Sequence, residues 1–101
     1  MIYRIDSQIN IENELLKNLG RIHTTPMGAE RIRRNLALGN DVQDIVTWCK
    51  MRIESPEAAI MHTGKNWYCS AGGCIITVNA YSYTIITAHK GSYEPATVQR
   101  N

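Results

Sequence analysis

Apolar residues recur every three or four positions through the first half of the chain, which is the spacing of an amphipathic helix. This periodicity predicts one helix over 9–20 and another that opens at residue 40 or 41 and is stopped at residue 54 by the Ser-Pro pair that follows. Between them, Thr25 is a suitable N-cap, and Pro26 takes the first helical position, where its missing N–H costs nothing. A further helix is therefore expected from there to Gly39.

After residue 56 the pattern changes to the alternation and the β-branched content that are typical of strands. Short strands are predicted at 58–61 and 67–69, and longer ones at 74–79 and 83–89, joined by turns rich in Gly, Asn and Ser. Alternation along the last run predicts that one face of it carries Tyr83, Ile85, Thr87 and His89.

These elements predict an α+β fold, with about three N-terminal helices packed on a C-terminal antiparallel sheet of three to four strands. The length of 101 residues suits one domain, so residues 1–101 are expected to fold together, with residues 1–8 and 91–101 as loose ends. Phe is absent, so Trp and Tyr must supply the aromatic part of the core.

The formal net charge of +2 is well below the charge of a dedicated nucleic-acid coat protein. Three cysteines, with no CxxC pair, argue against a disulfide framework and favour a reducing compartment. No apolar run is long enough for a signal peptide or a membrane span. A cytoplasmic location without membrane association is therefore expected.

The densest polar group surrounds the start of the second predicted helix. Arg21, His23 and Thr25 lead into a helix that carries Arg31 and Arg34 on one face, a turn apart. The free N–H groups of a helix start attract anions, and forked arginine donors suit phosphate. The purely structural alternative is that Thr25 only caps the helix and that the arginines are solvated.

A second polar group closes the last predicted strand, at Thr87, His89 and Lys90. Thr87 and His89 alternate onto one face, about 7 Å apart at the usual strand rise. Histidine titrates near neutrality and can transfer protons. The structural alternative is an ordinary strand threonine beside a surface histidine.

Other chemistries are disfavoured by the residue spacing. The histidines and cysteines show no metal-ligand spacing, and the glycine pair at 72–73 lacks the phosphate-loop pattern, so neither a metal nor a cofactor is expected. Cys49 falls on the apolar side of a helix, where it is expected to be core. The remaining His, Arg, Thr and Lys side chains are those that handle phosphate without a metal.

Three segments of the chain, 23–36, 64–68 and 76–90, resemble a small bacterial family of unknown function, and the likeness spans roughly residues 10–90. A more distant likeness lies in the order of elements. Helices followed by strands that close on Thr-Ile-Ile-Thr-Ala-His resemble the barnase–EndoU–colicin–RelE group of ribonucleases.

The distant likeness implies a metal-independent, toxin-like ribonuclease. His23 matches the early histidine of that group and Thr87 the late threonine, whereas His89 stands where other members have an aromatic residue or Pro. His23 and His89 are then the candidate base and acid, and Arg31 would stabilise the phosphorane charge. The residues expected to bind substrate are Arg21, Thr25, Arg34, Lys65 and Lys90.

Two other classes of function stay open at this stage. One is a non-catalytic bacterial or phage binding module that engages a protein partner or nucleic acid through its arginine helix. The other is a homodimer joined through an exposed strand edge. The enzyme interpretation makes RNA the partner, together with an inhibitor protein, and it requires His23, Thr87 and an arginine to meet around a cleft.

Overall fold

A computed structural model describes residues 14–91 of the chain. The predicted loose end at 1–8, the predicted loose end at 91–101 except for Gly91, and the first part of the predicted first helix lie outside the described residues. The described elements, in chain order, are the helical residues 14–17 (α1), the 3-10 helix Leu19–Arg21, α2 (Pro26–Leu36), α3 (Ile45–Glu54), β1 (Ala59–Thr63), β2 (Asn66–Ala71), β3 (Cys74–Asn79) and β4 (Ile85–Lys90). They confirm the predicted α+β fold.

Helix α2 begins as the sequence predicts. Thr25 is the N-cap, and its hydroxyl accepts a hydrogen bond of 3.0 Å from the backbone N–H of Gly28. The predicted end at Gly39 is wrong, because Ala37 adopts the left-handed conformation at φ 55°. In this conformation the N–H groups of Ala37 and Leu38 donate to carbonyls of the last helical turn, which ends the helix at Leu36.

Helix α3 begins at Ile45, so the predicted start at residue 40 or 41 is also wrong. The N-cap is Asp44, whose carboxylate accepts from the backbone N–H of Thr47 at 3.1 Å and from the Thr47 hydroxyl at 2.8 Å. These hydrogen bonds satisfy the first turn and hold the pKa of Asp44 below its usual value.

The four strands form an antiparallel meander in the order β1-β2-β3-β4. The turn between β2 and β3 needs two residues with positive φ, and Gly72 and Gly73 supply them at 58° and 78°. The helices pack on one face of the sheet, where the strands contribute Ile60, Trp67, Cys69, Ala71, Cys74, Ile76, Val78, Ile85 and Ala88 to the buried core.

A β-bulge in β4 changes which residues share a face. Thr77 pairs with Thr87 and Val78 pairs with Ile85, which leaves Ile86 without a partner on β3. The predicted common face is therefore wrong: Ile85 is in the core, whereas Thr87 and His89 lie on the opposite face. One extra residue shifts the alternation of a strand by one position, so a strict period of two fails across it.

The free edge of β4 is covered by the segment that leads into α2. His23 forms a parallel bridge with Thr84, through hydrogen bonds from His23 N to Tyr83 O at 3.1 Å and from Ile85 N to His23 O at 2.8 Å. Further along this edge, Asn35 of α2 donates its side-chain amide to the carbonyl of Ala88 at 3.2 Å. These bonds satisfy an otherwise open edge and fix His23 at the start of β4.

Candidate active site

His23 is held at both of its ring nitrogens although its side chain is exposed. Nδ1 lies 2.8 Å from the carbonyl oxygen of Arg21, and Nε2 lies 3.1 Å from the hydroxyl of Thr84. The backbone bridge to β4 fixes the main chain of His23, and these two bonds fix the rotation of its ring. Such fixation of both ring nitrogens sets the tautomer of a histidine.

The hydrogen-bonded chain continues into the turn between β3 and β4. The Thr84 hydroxyl lies 2.8 Å from the Ser82 hydroxyl, which lies 3.2 Å from Oδ1 of Asn79. Oδ1 of Asn79 also accepts from the backbone N–H groups of Tyr81 and Ser82, each at 2.9 Å. The result is a continuous polar chain, His23–Thr84–Ser82–Asn79, referred to below as the His23 network.

The directions of the hydrogen bonds in the His23 network depend on the protonation state of the imidazole. A carbonyl oxygen can only accept, so Nδ1 carries a proton and neutral His23 accepts at Nε2 from the Thr84 hydroxyl. When Nε2 is protonated it donates to Thr84, and the hydroxyl protons of Thr84 and Ser82 turn toward Ser82 and Asn79. In either state both ring nitrogens of His23 therefore keep a hydrogen-bond partner.

Two cationic residues belong to chain segments that adjoin the His23 network. The guanidinium of Arg21 stacks on the ring of the buried Tyr83, 4.6 Å from the ring centroid. Lys65 lies in the turn between β1 and β2, where its carbonyl accepts from the N–H of Ala80 at 2.7 Å. This bond places the turn that carries Lys65 against the turn that carries Ser82, at the same end of the sheet.

The structure does not bring His23 together with the residues expected from the end of the last strand. Five positions separate Thr84, the partner of His23, from His89, a distance on the order of 15 Å along a strand. Thr87 and His89 also lie on the face of the sheet that points away from the helices. The expectation that His23 pairs with His89 as base and acid, with Thr87 beside them, is therefore corrected: these residues lie at opposite ends of β4.

Lys90, at the same far end of β4, is exposed and pairs in register with Cys74. The only hydrogen bond of the His89 ring within the described residues joins Nδ1 to the carbonyl of Lys90, at 3.0 Å. This contact is local in sequence and does not connect His89 to another element.

The two arginines expected to bind phosphate lie on the solvent side of α2. Arg31 and Arg34 are exposed, and the buried side of the helix consists of Gly28, Ile32 and Leu36. The Thr25 hydroxyl is engaged as the N-cap. Thr25 therefore caps α2 as predicted, and the arginines are not shown in contact with the His23 network.

A groove of about 480 Å³ lies between the starts of α2 and α3. Arg33 lines it, but so do the carboxylate-bearing residues Glu30 and Asp44. Negative charge at the start of α3 competes with any anion that the free N–H groups of the two helix starts would attract. This groove is therefore a poorer phosphate site than the sequence suggests.

Cysteine and metal chemistry find little support within residues 14–91. Cys49, Cys69 and Cys74 are all buried, and burial raises the pKa of the Cys49 thiol to about 12, far from a reactive thiolate at neutral pH. No group of three or more His, Cys, Asp or Glu side chains in this range is arranged to hold a metal ion. No helix in the same range is long and apolar enough to cross a membrane.

Sequence reasoning selected His23 but missed Thr84, Ser82 and Asn79. Asn79 and Ser82 carry a turn signal, since Asn is a common first residue of such turns. Nothing in their spacing from His23 shows that they meet it, because the connection runs through a bridge between residues 61 positions apart.

The fold and the site define a small α+β domain with an exposed, hydrogen-bonded histidine at the edge of its sheet. The chain belongs to the family described as "Protein of unknown function (DUF3781)", whose model matches residues 16–89. The expected membership of a family of unknown function is thereby confirmed, and that description assigns no activity. No curated protein and no solved structure matches the chain.

Proposed function

We propose that this protein is a metal-independent ribonuclease-like enzyme that acts on RNA phosphodiesters, with His23 as its proton-transfer residue. The observation that carries the proposal is the fixed imidazole, held between the Arg21 carbonyl and the Thr84 hydroxyl while its side chain stays exposed to solvent. A base with a set tautomer next to a hydroxyl group is suited to general acid–base chemistry.

In this mechanism His23 accepts the proton of the RNA 2′-hydroxyl, either directly or through Thr84. In the second case the 2′-OH gives its proton to the Thr84 oxygen while the Thr84 proton passes to Nε2 of His23. The 2′-oxygen then bonds to phosphorus, the bond from phosphorus to the 5′-oxygen breaks, and a 2′,3′-cyclic phosphate forms. The leaving 5′-oxygen takes a proton from a second group.

Lys65 is the residue that we assign to this second proton transfer, because its turn packs against the turn of the His23 network. Arg21, whose guanidinium is held on Tyr83, supplies fixed positive charge near the same end of the sheet. Arg31 and Arg34, exposed on α2, would extend the RNA-binding surface by contacting further phosphates of the RNA backbone. Thr87, His89 and Lys90 take no part in the proposed chemistry.

The test uses two labelled oligonucleotides, in EDTA and at low salt because the small net charge gives weak RNA affinity. One is DNA with a single ribonucleotide, and the other is its all-deoxy counterpart. We expect cleavage only of the first, directly after the ribonucleotide, with a 2′,3′-cyclic phosphate on the upstream product. Equal cleavage of the two oligonucleotides, or no cleavage of long RNA at high protein concentration, would contradict the proposed ribonuclease activity.

A second candidate function is nucleic-acid binding without cleavage, and the exposed face of α2 favours it. Met27 is 75% exposed on this face, near Arg31 and Arg34, and no ion pair within residues 14–91 engages either arginine. Loss of RNA binding in an Arg31→Glu, Arg34→Glu double variant, together with an absence of cleavage by the wild type, would select this function. The matched control is Glu30→Gln, which removes an acidic side chain of the same helix.

A further inference from the structure

The face of the sheet that points away from the helices carries a concavity of about 350 Å³, near the lower end of the range for ligand pockets. The register accounts for its lining, since Tyr68 lies between Met61 and Thr77, and Ile75 lies opposite His89. Side chains paired in this way stand next to each other on one face. The lining residues are Met61, Thr63, Tyr68, Ile75, Thr77 and His89.

Thr77 is an unusual member of this lining, because it is polar and only 6% exposed. Within the described part of the chain its hydroxyl has no hydrogen-bond partner. The hydroxyl oxygen is not among the fully enclosed polar atoms of the described residues, so it reaches the surface of the concavity and is open to a partner there. A polar group of a ligand in the concavity would be able to bond to this hydroxyl.

The other lining groups define what fits. Met61 and Ile75 are apolar, and Tyr68 adds an aromatic ring whose hydroxyl accepts from the Asn66 amide at 3.3 Å and keeps its own proton to donate. Because Nδ1 of His89 is engaged by a carbonyl, Nε2 of the neutral ring is an acceptor. None of the six lining residues is Asp, Glu, Lys or Arg, so a strongly charged ligand finds no counter-charge.

We propose that this concavity binds a small, flat heteroaromatic molecule of nucleobase size. Its ring would lie against Met61, Ile75 and Tyr68, and its polar edge would bond to Thr77 and His89. The site is separate from the His23 network, which lies at the edge of β4, so it stands whether or not the chain cleaves RNA.

The experiment is a titration of the ¹⁵N-labelled full chain with adenosine and with uridine, followed by amide chemical shifts. We expect saturable shifts at Tyr68, Thr77 and His89 for at least one nucleoside at millimolar concentrations or below. An absence of saturable shifts for both would overturn the proposal. A tetranucleotide with 2′-O-methyl groups cannot form the cyclic phosphate and is therefore not cleaved. If the concavity takes a base within RNA, this tetranucleotide should bind at least tenfold more tightly than either nucleoside.

Two variants locate the site. Thr77→Val replaces the hydroxyl by a methyl group of the same shape, and His89→Ala removes an exposed ring without touching the core; each should weaken binding at least tenfold. Thr87→Val is the matched control, because Thr87 lies opposite Thr77 but does not line the concavity. If Thr77→Val fails to fold, His89→Ala decides. Unchanged affinity in every folded variant of Thr77 and His89 contradicts the proposal.

Discussion

The two ends of strand β4 carry similar side chains in different surroundings. At the start, His23 bonds to Thr84, a residue 61 positions away in sequence, and the chain of hydrogen bonds continues through Ser82 to Asn79. At the other end, the ring of His89 bonds only to the carbonyl of its neighbour Lys90 within residues 14–91. Each end therefore offers a histidine near a threonine, but only the start joins them by a hydrogen bond.

In our two proposals, context more than residue type separates a proton-transfer group from a binding group. The His23 network fixes both ring nitrogens and gives each of them a hydrogen-bond partner in either protonation state of the ring. On the open, largely apolar face near the far end, Thr77 and His89 line a concavity, where a hydroxyl and an imidazole can hold a ligand but are not linked for proton transfer.

The largest expected effect is that of His23→Ala on RNA cleavage. The rate should fall by about 10²- to 10⁴-fold, the usual contribution of a general acid or base. The protein should remain folded, because the side chain is exposed and the parallel bridge uses only backbone atoms. The measurement is the initial rate in EDTA, with circular dichroism as the check on folding. A rate within a factor of two of the wild type would place the chemistry elsewhere.

Thr84→Val removes the hydroxyl that joins His23 to Ser82 and keeps the shape of the side chain. We expect the cleavage rate to fall about five- to tenfold, since one hydrogen bond is worth about 1 kcal/mol. The NMR signals of the His23 ring should shift as well. A ring signal that does not change on substitution would show that the bond between Thr84 and His23 is not formed in solution.

Asn79→Ala tests the support of the His23 network rather than its chemistry. The lost Oδ1 accepts three hydrogen bonds, from two backbone N–H groups and one hydroxyl of the same turn. The free energy of unfolding should fall by about 1–2 kcal/mol, measured by urea denaturation. Asn40→Ala, at an exposed asparagine between α2 and α3, is the control and should stay within about 0.5 kcal/mol of the wild type.

The smallest effect is expected for Thr87→Val. The RNA cleavage rate should stay within about twofold of the wild type, because the Thr87 hydroxyl lies on the open face, away from His23. Strand propensity favours valine at such a position, so stability should be nearly unchanged. A large loss of cleavage in this variant would show that the far end of β4 belongs to the active site, as the ribonuclease resemblance implies.

Much of the fold follows from local signals in the chain. Helical and strand periodicities separate the two halves, Thr25 and Pro26 mark the start of α2, and the glycines at 72 and 73 mark a two-residue turn. The ends of the helices were harder to predict. Ala37 takes a left-handed conformation that alanine does not favour, and Asp41 and Asp44 are both plausible N-caps of α3.

The site was less predictable than the fold for two physical reasons. The bulge at Ile86 shifts the alternation of β4, which moves Thr87 away from the face of Ile85, and no local residue pattern marks it. The parallel bridge between His23 and Thr84 is a long-range contact. The polar density around residue 23 could therefore point to the histidine, but its partners emerge only when the chain is folded.

The most direct test of the central claim compares cleavage of one RNA by the wild type, His23→Ala and Thr87→Val, in EDTA and under identical conditions. The account predicts that the wild type and Thr87→Val cleave at similar rates with cyclic phosphate products, while the folded His23→Ala variant cleaves about 10²- to 10⁴-fold more slowly. A His23→Ala rate within a factor of two of the wild type, or a loss of cleavage only in Thr87→Val, would contradict an active site at the start of β4.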